Sequence, residues 1–386
     1  MKYQVCVVTG TRAEFGLLYP LLKKLNADTE LELQLVVTGT HLLPEFGNTQ
    51  KEIIASGIPI YSRVPIELGD DSKFAMASAT GKALTSFAEY FEKNKPDLLI
   101  VLGDRFEIFA AAAAAALQNI AIAHIHGGET TEGAVDEFLR HSITKMSYLH
   151  FTACEEYRRR VIQLGEAPDR VFNVGALGVE NVMNLPEISL EELSESLGAD
   201  LAETTYSIVT YHPVTQKENN VVEDMTQLIA AMEAFPEMRF LITKANADAG
   251  GRAINAIWDR EQEKHKNWIV VTSLGAKRYL TALKHAQMMI GNSSSGILEA
   301  PAAGVSTVNI GIRQKGRMMA ESVICCDCRT NAIVDAIKYA SQDAFKDKIS
   351  VLSPPFGDGR TSERVLEICK VFLKDRKSLA KKFYDV

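Results

Sequence analysis

Short, largely apolar runs recur along this chain, each pair separated by room for one amphipathic helix. Val5–Val8, Leu33–Val37, Leu98–Leu102 and Ile120–Ile125 come first. Tyr206–Tyr211, Met238–Ile242, Trp268–Val271, Met288–Ile290 and Ser306–Ile310 repeat the order after residue 200. A strand that is apolar at successive positions must be covered on both faces. Interleaved helices supply that cover, so the pattern predicts α/β structure built on parallel sheets. A chain of 386 residues is long enough for two such domains. The rhythm breaks between Gly175 and Leu201, where Leu185-Pro186 and an acidic, Ser- and Leu-rich segment intervene. Two doubly wound domains are therefore expected, joined near that segment.

Composition narrows the partners. The net charge of −7 argues against a nucleic-acid or anionic-membrane surface. A phosphorylated ligand would then depend on local arginines. No stretch reaches the ~18 apolar residues of a membrane span. Met1-Lys2-Tyr3-Gln4 leads directly into a strand, not a signal peptide, so a cytoplasmic location is expected. Of the cysteines, Cys325, Cys326 and Cys328 cluster, but their spacing fits no zinc knuckle and no second pair follows. Reduced, structural thiols and no metal site are the expectation. The alanine run Ala110–Ala116 predicts a helix packed closely on a sheet. Thr361–Val386 begins as a helical pattern and ends lysine-rich, which reads as a closing helix across the domain junction.

The chemistry-bearing residues fall at the carboxyl ends of the predicted strands, where open α/β sheets bind ligands. Asn292-Ser293-Ser294-Ser295-Gly296 stands between the strand Gln287–Ile290 and a helix opening at Ile297-Leu298-Glu299-Ala300. Small hydroxyl residues and a glycine at such a turn leave backbone N–H groups open to an anion, and the helix dipole favours a diphosphate there. The bland alternative is a serine N-cap. Thr9-Gly10-Thr11-Arg12 follows the first strand, with Arg12 placed to face an anion. Gly103-Asp104-Arg105 follows Leu98–Leu102, and His126-Gly127-Gly128-Glu129 follows Ile120–Ile125. In the second half, His212-Pro213 and Asn246-Ala247-Asp248 end the first two strands. Asp104, Glu129 and Asp136 form a set of acids expected to crowd one another, raising one pKa and preparing a proton donor beside an acceptor. His212, beside a fixed proline, is the best functional histidine. His141 reads as mid-helix and structural.

Taken in order, these motifs resemble the UDP-N-acetylglucosamine 2-epimerase family. They are Thr9-Gly10-Thr11-Arg12-Ala13-Glu14, Gly103–Arg105, His126–Glu129, Asp136 with Arg140-His141-Ser142, His212-Pro213, Asn292–Gly296 with Glu299, and Gly311-Ile312-Arg313-Gln314. The likeness is greatest to the hydrolysing branch of sialic- and legionaminic-acid pathways. It runs from residue 5 to about residue 320 in the family's order; each motif is weak alone, but the ordered set is specific. The resemblance implies the GT-B fold, two Rossmann-like domains facing a central cleft. The N-terminal domain (1–178) would carry the sugar site and acids, the C-terminal domain (179–365) would bind UDP, and a helix (366–386) would cross back. It implies that Ser293 and Ser294, with Ser295 and Gly296, take the diphosphate, and that Glu299 takes the ribose hydroxyls. Arg313, Arg12 and Arg105 would neutralise phosphate charge, and Gly16, His212 and Asn246 would line the substrate. Asp104 and Asp136 match two family catalytic acids. Several hydrolysing relatives carry Glu where this chain has His126, and one extra residue separates His126 from Asp136. Either Glu129 or His126 is left to fill the middle acid/base role.

The implied reaction eliminates UDP to a 2-acetamidoglucal and then hydrates it, giving N-acetylmannosamine. It uses no metal or nicotinamide cofactor; the first turn also lacks G-x-G-x-x-G. The family implies a homodimer or homotetramer. UDP-2,4-diacetamido-2,4,6-trideoxyglucose is an alternative substrate of the same chemistry. A GT-B glycosyltransferase would have no use for three clustered acids. A non-catalytic UDP-sugar sensor would carry the cost of burying them.

Overall fold

The computed structural model describes residues 2–67, 72–132, 135–214, 221–245, 250–375 and 378–386, the side chain of Glu45 apart. Contacts divide the chain into two compact units. One comprises Met1–Glu129, Val135–Glu180 and Gly357–Val386; the other comprises Thr130–Ala134 and Asn181–Phe356.

The first unit is built on seven parallel strands: β1 (Tyr3–Thr9), β2 (Leu31–Thr38), β3 (Ser62–Val64), β4 (Leu98–Leu102), β5 (Ile122–Ile125), β6 (Leu149–Thr152) and β7 (Val171–Asn173), ordered β3-β2-β1-β4-β5-β6-β7. Val5 lies beside Leu33 on one side and Leu98 on the other. Side chains alternate between the two faces, as the period of a strand requires. Val5 and Val7 join Leu18, Leu22, Leu35 and Ile100 on one face. Cys6 and Val8 join Phe87, Phe91, Leu99, Val101 and Ala111 on the other. Each such fully buried Leu, Val or Phe contributes about 1.5–3 kcal/mol relative to exposure. The alanine run lies in the helix Phe106–Leu117, with Ala110–Ala115 buried as expected of a close-packed helix.

The second unit repeats the plan with β8 (Tyr206–Thr210), β9 (Arg239–Thr243), β10 (Trp268–Val271), β11 (Met288–Gly291), β12 (Ser306–Ile310) and β13 (Val323–Cys326), ordered β10-β9-β8-β11-β12-β13. Val209, Ile242 and Ile290 face Met225, Leu228 and Trp258, while Ile208, Leu241 and Met289 face Leu283 and Ala300. Both units are thus Rossmann-like α/β domains. In each, the strand order reverses at one point: between β1 and β4, and between β8 and β11. The rule for open sheets places ligands just beyond those strand ends.

The C-terminal segment rejoins the first unit at Gly357 rather than at residue 366. Ser362 N–H donates to Glu180 Oε2 at 2.6 Å and its hydroxyl bonds the same carboxylate. Thr361 Oγ1 donates to the Ala176 carbonyl at 3.3 Å. The helix Thr361–Lys374 then packs on the helix Arg12–Ala27 of that unit. These buried polar contacts fix the segment, and apolar periodicity carries no trace of them. Among the described residues no helix is long and apolar enough to cross a membrane.

Candidate active site

At the switch point of the first unit, Thr11 caps the helix Arg12–Ala27. Its hydroxyl accepts from Glu14 N–H at 3.2 Å, and Glu14 Oε2 accepts from Gly10 N–H at 2.7 Å and Thr11 N–H at 3.0 Å. The turn motif is therefore a capping box. Glu14 is buried, and burial together with the neighbouring Glu107 carboxylate pushes its pKa up to about 8. Glu107 is fully buried and accepts from Arg105 Nε at 2.7 Å. A Cβ on Gly10 would lie 2.5 Å from Glu107 Oε1, so glycine is needed for the carboxylate to reach this place.

The crowding of carboxylates predicted for Asp104, Glu129 and Asp136 is thus found at Glu14 and Glu107. Beside Asp104 and Glu129 stands Arg140, which is 2% exposed. Its Nη2 bonds the Asp104 carboxylate. Its Nη1 donates to the Glu129 main-chain oxygen at 3.0 Å and to Glu137 Oε2 at 3.1 Å. Burial works against its charge, but the Asp104 and Glu129 carboxylates outweigh that and raise its pKa. His126 Nδ1 lies 3.2 Å from Glu129 Oε1, so the two candidates for the middle role adjoin each other. His126 sits at a φ of 66°, a conformation unusual for a residue with a side chain. Its N–H is anchored to the Phe151 carbonyl at 2.8 Å. Asp136 is exposed in the first turn of the helix Val135–Met146, four residues before Arg140. His141 is mid-helix and meets Glu137 Oε1 at 3.1 Å.

Two predicted anion ligands are engaged elsewhere. Arg12 pairs with Glu52 at 3.0 Å, and Arg105 turns to Glu107. Gly16 has open space where a side chain would be.

In the second unit, β11 ends at Gly291, whose φ of 133° and whose missing Cβ, 2.0 Å from the Thr210 carbonyl, leave no alternative to glycine. Asn292 follows, wholly buried. Its side chain pairs with the main chain of His212, and its own carbonyl accepts from Arg313 Nη1 at 3.0 Å and Gln314 Nε2 at 2.8 Å. The His212 ring is buried beside this cluster. Burial first, then the Arg313 charge, hold its pKa down to about 3, so the imidazole is neutral.

The helix Ser295–Ala302 opens at Ser294, whose side chain caps nothing, against the bland reading of the serine run. Part of the expected open row of N–H groups, from Ser295 onward, is engaged within the turn. Ser295 N–H donates to Ser293 Oγ at 3.3 Å, and Gly296 and Ile297 donate to the carbonyls of Ser293 and Ser294 at 3.1 and 3.0 Å. The Ser295 hydroxyl meets Tyr279 at 2.5 Å. Burial and then Glu299 raise the pKa of that phenol. Gly296 serves packing: a Cβ would lie 2.7 Å from Thr307 Cγ2 on β12. Asn246 lies outside the described residues. Cys6 and Cys369 are buried thiols and Cys325 is exposed on β13; among the described residues no group of side chains could hold a metal ion.

Arg140, Asn292 and Gln314 were within the quoted motifs, but no role followed from the sequence. Glu14 also stood within a motif, without a role, whereas Tyr279 and Glu107 gave no readable signal. An arginine four residues after an acid on one helix is ordinarily a solvated pair. Only its burial makes it part of the acid cluster.

Comparison with known proteins gives the family. A family model described as UDP-N-acetylglucosamine 2-epimerase matches residues 23–370. The sequence is 36% identical over 386 residues to the GDP/UDP-N,N'-diacetylbacillosamine 2-epimerase (hydrolyzing) of Campylobacter jejuni, with the whole of both chains covered. It is 38% identical over 384 residues to polysialic acid biosynthesis protein P7 of Escherichia coli, covering 99% of this chain and 97% of the relative. The crystal structure of UDP-GlcNAc 2-epimerase from Neisseria meningitidis bound to UDP-GlcNAc aligns at a TM-score of 0.81 and 16% identity, over 95% of this chain and 100% of that one; at that identity the likeness speaks for the fold alone. The chain is an enzyme of the UDP-N-acetylglucosamine 2-epimerase family.

Proposed function

We propose that this enzyme is a hydrolysing UDP-N-acetylglucosamine 2-epimerase, releasing N-acetylmannosamine and UDP for the biosynthesis of sialic-type acids. The observation that carries this reading is the buried Arg140, bonded to the Asp104 carboxylate and to the Glu129 main chain, with His126 3.2 Å from the Glu129 carboxylate. Proton removal at a sugar carbon needs a base and an acid fixed within reach of it. A charged guanidinium can hold two acids together that would otherwise repel. Asp104 and Asp136 serve as acid/base groups, and Glu129 with His126 acts as one unit in the middle role. His212, neutral, attends the departing diphosphate. Ser293, Ser294 and Arg313 take the diphosphate, with Ser295 and Gly296 shaping the turn, and Glu299 takes the ribose. Arg12, Arg105, Gly16 and Asn246 complete the contacts. Engaging Arg12 and Arg105 requires them to leave Glu52 and Glu107.

In the first stage a base takes the C2 proton while the C1–O bond breaks and its electron pair leaves with UDP. In the second, water adds to C1 of the 2-acetamidoglucal and a proton reaches C2 from the opposite face. Charge developing on the leaving diphosphate is met by prepositioned donors, the usual source of the largest catalytic effect. Turnover in deuterium oxide should give free sugar with deuterium at C2. Turnover in 18O-water should label sugar C1. Label in UDP would mean attack at phosphorus and would reject elimination, whereas deuterated UDP-sugar as sole product would place the enzyme in the non-hydrolysing branch.

A second reading keeps the chemistry and changes the sugar. The Campylobacter relative is named for a diacetylbacillosamine substrate and matches over the full length. That favours UDP-2,4-diacetamido-2,4,6-trideoxyglucose, as in a legionaminic-acid route. Comparing kcat/KM on both UDP-sugars decides between them.

A further inference from the structure

His124 is fully buried on β5, two residues before His126. Its Nε2 lies 2.8 Å from the Gly103 carbonyl, the residue before Asp104. Its Nδ1 lies 3.1 Å from Thr144 Oγ1, one turn along the helix from Arg140. A carbonyl can only accept, so Nε2 carries the hydrogen. Burial first, with the Gly103 contact opposing and His150, Arg140 and His126 adding to it, holds the His124 pKa down to about 3. The ring is therefore neutral and Nδ1 is a bare acceptor 3.1 Å from the Thr144 hydroxyl, whose single hydrogen is shared between it and the Arg140 carbonyl at 3.0 Å. Gly127 leaves room for this arrangement; a Cβ there would lie 3.1 Å from both His124 Nδ1 and Thr144 Oγ1.

We infer that His124 is a positioning residue for the acid cluster: as the Nε2–H tautomer it ties the Gly103-Asp104 turn to the helix that carries Arg140 and Asp136. Asp104 is bonded to Arg140 from one side, and the turn that bears it is bonded through His124 to the same helix from the other. The two links close a ring of contacts that fixes the direction of the Asp104 carboxylate. His124 touches no substrate in this scheme. It rests on the proposed reaction, because its kinetic effect is read through Asp104.

Three full-length variants test it. H124L removes both links, H124Q restores a donor at the Nε2 position, and T144V removes the hydroxyl that links Nδ1 to the helix of Arg140. Misplacing a reacting group by about 1 Å can cost roughly 100-fold, so H124L should lower kcat by about 10- to 100-fold while UDP affinity by calorimetry stays within about twofold. H124Q should recover most of the loss. T144V should lower kcat by about fivefold, the equivalent of one ordinary hydrogen bond, and it reports even where H124L does not fold. In 15N-histidine spectra of the wild-type enzyme, His124 should show the Nε2–H tautomer without titrating from about pH 5 to about pH 8. Wild-type kcat in H124L or T144V, an equal loss of UDP affinity, no rescue by H124Q, or titration of His124 in that window would each overturn the inference. Wild-type enzyme that turns over neither UDP-sugar rejects the proposed reaction instead, and the spectra still decide whether the imidazole holds the turn.

Discussion

Asn292 and His212 exchange two hydrogen bonds: Asn292 Oδ1 accepts from His212 N–H at 2.7 Å, and Asn292 Nδ2 donates to the His212 carbonyl at 2.8 Å. A side-chain amide here continues the pairing of β8 with β11 beyond the last strand residue. It brings a neutral imidazole, Arg313 and Gln314 to one point at the switch of the second sheet. N292A leaves a buried donor and acceptor on His212 unpaired, each at about 1–3 kcal/mol. We expect a lower unfolding midpoint together with weaker UDP binding. Unchanged UDP affinity in a destabilised N292A enzyme would confine Asn292 to a structural role.

Arg140 should matter to turnover and not to the nucleotide. R140M strands the carboxylates it pairs, and breaking a buried pair typically costs about 3–5 kcal/mol. R140K keeps the charge and loses the fork that reaches Asp104 and Glu129 together. We expect both variants to lose most turnover, with UDP affinity retained in R140K. An R140K enzyme with wild-type kcat would remove Arg140 from the acid cluster.

The diphosphate assignment is tested by R313A and S294A. Truncating a charge-assisted phosphate contact costs about 1.5–3 kcal/mol, so R313A should weaken UDP binding by at least tenfold or so, and S294A by less. Calorimetry that finds wild-type UDP affinity in both variants displaces the site from this turn.

The acids divide by substitution. D104N, E129Q and D136N should each cut turnover strongly while UDP still binds, because they act on the sugar. H126A and E129Q should cost similar amounts if the two side chains work as one unit, and the double variant should cost little more than either. Additive losses would mean separate roles.

Stability should peak near neutrality. His41, His124 and His212 have folded pKa values depressed from 6.5 to about 4, 3 and 3. The unfolded chain takes up protons on all three as pH falls below 6.5, while the folded state does not. Their contribution is complete above 6.5 and is lost toward acid. Glu14 is opposite in sign: raised from 4.5 to about 8, it keeps a proton in the fold that the unfolded chain releases, so stability declines as pH rises through that window. Each proton is worth about 1.4 kcal/mol per pH unit where it differs between states. Below about 6.5 the histidines outweigh the one glutamate; toward pH 8 their contribution fades and Glu14 dominates among these groups. Denaturant titrations at pH 5, 6.5 and 8 should give the highest midpoint in the middle. E14Q should flatten the alkaline side, and an unchanged slope in E14Q would discard the Glu14 assignment.

The sequence by itself determined the architecture. Apolar runs such as Val5–Val8 and Met288–Ile290 can be buried only as strands covered on both faces, and the helices between them leave parallel pairing as the solution. The turns that end those strands were legible for the same reason: a ligand-binding end is fixed by topology, and Gly103-Asp104, His126–Glu129, His212-Pro213 and Asn292–Gly296 stand there. What only the tertiary structure decided is which of those residues pair, and with what. Arg140 enters the acid cluster because the helix Val135–Met146 is buried along that edge. Glu14 and Glu107 meet because Gly10 leaves space between two elements distant in sequence. Arg12 turns to Glu52, Ser295 turns to Tyr279, and residues from Gly357 return to the first unit through Glu180. Each of these depends on desolvation and on partners remote along the chain, and a local pattern of hydrophobicity, charge and spacing carries no record of either.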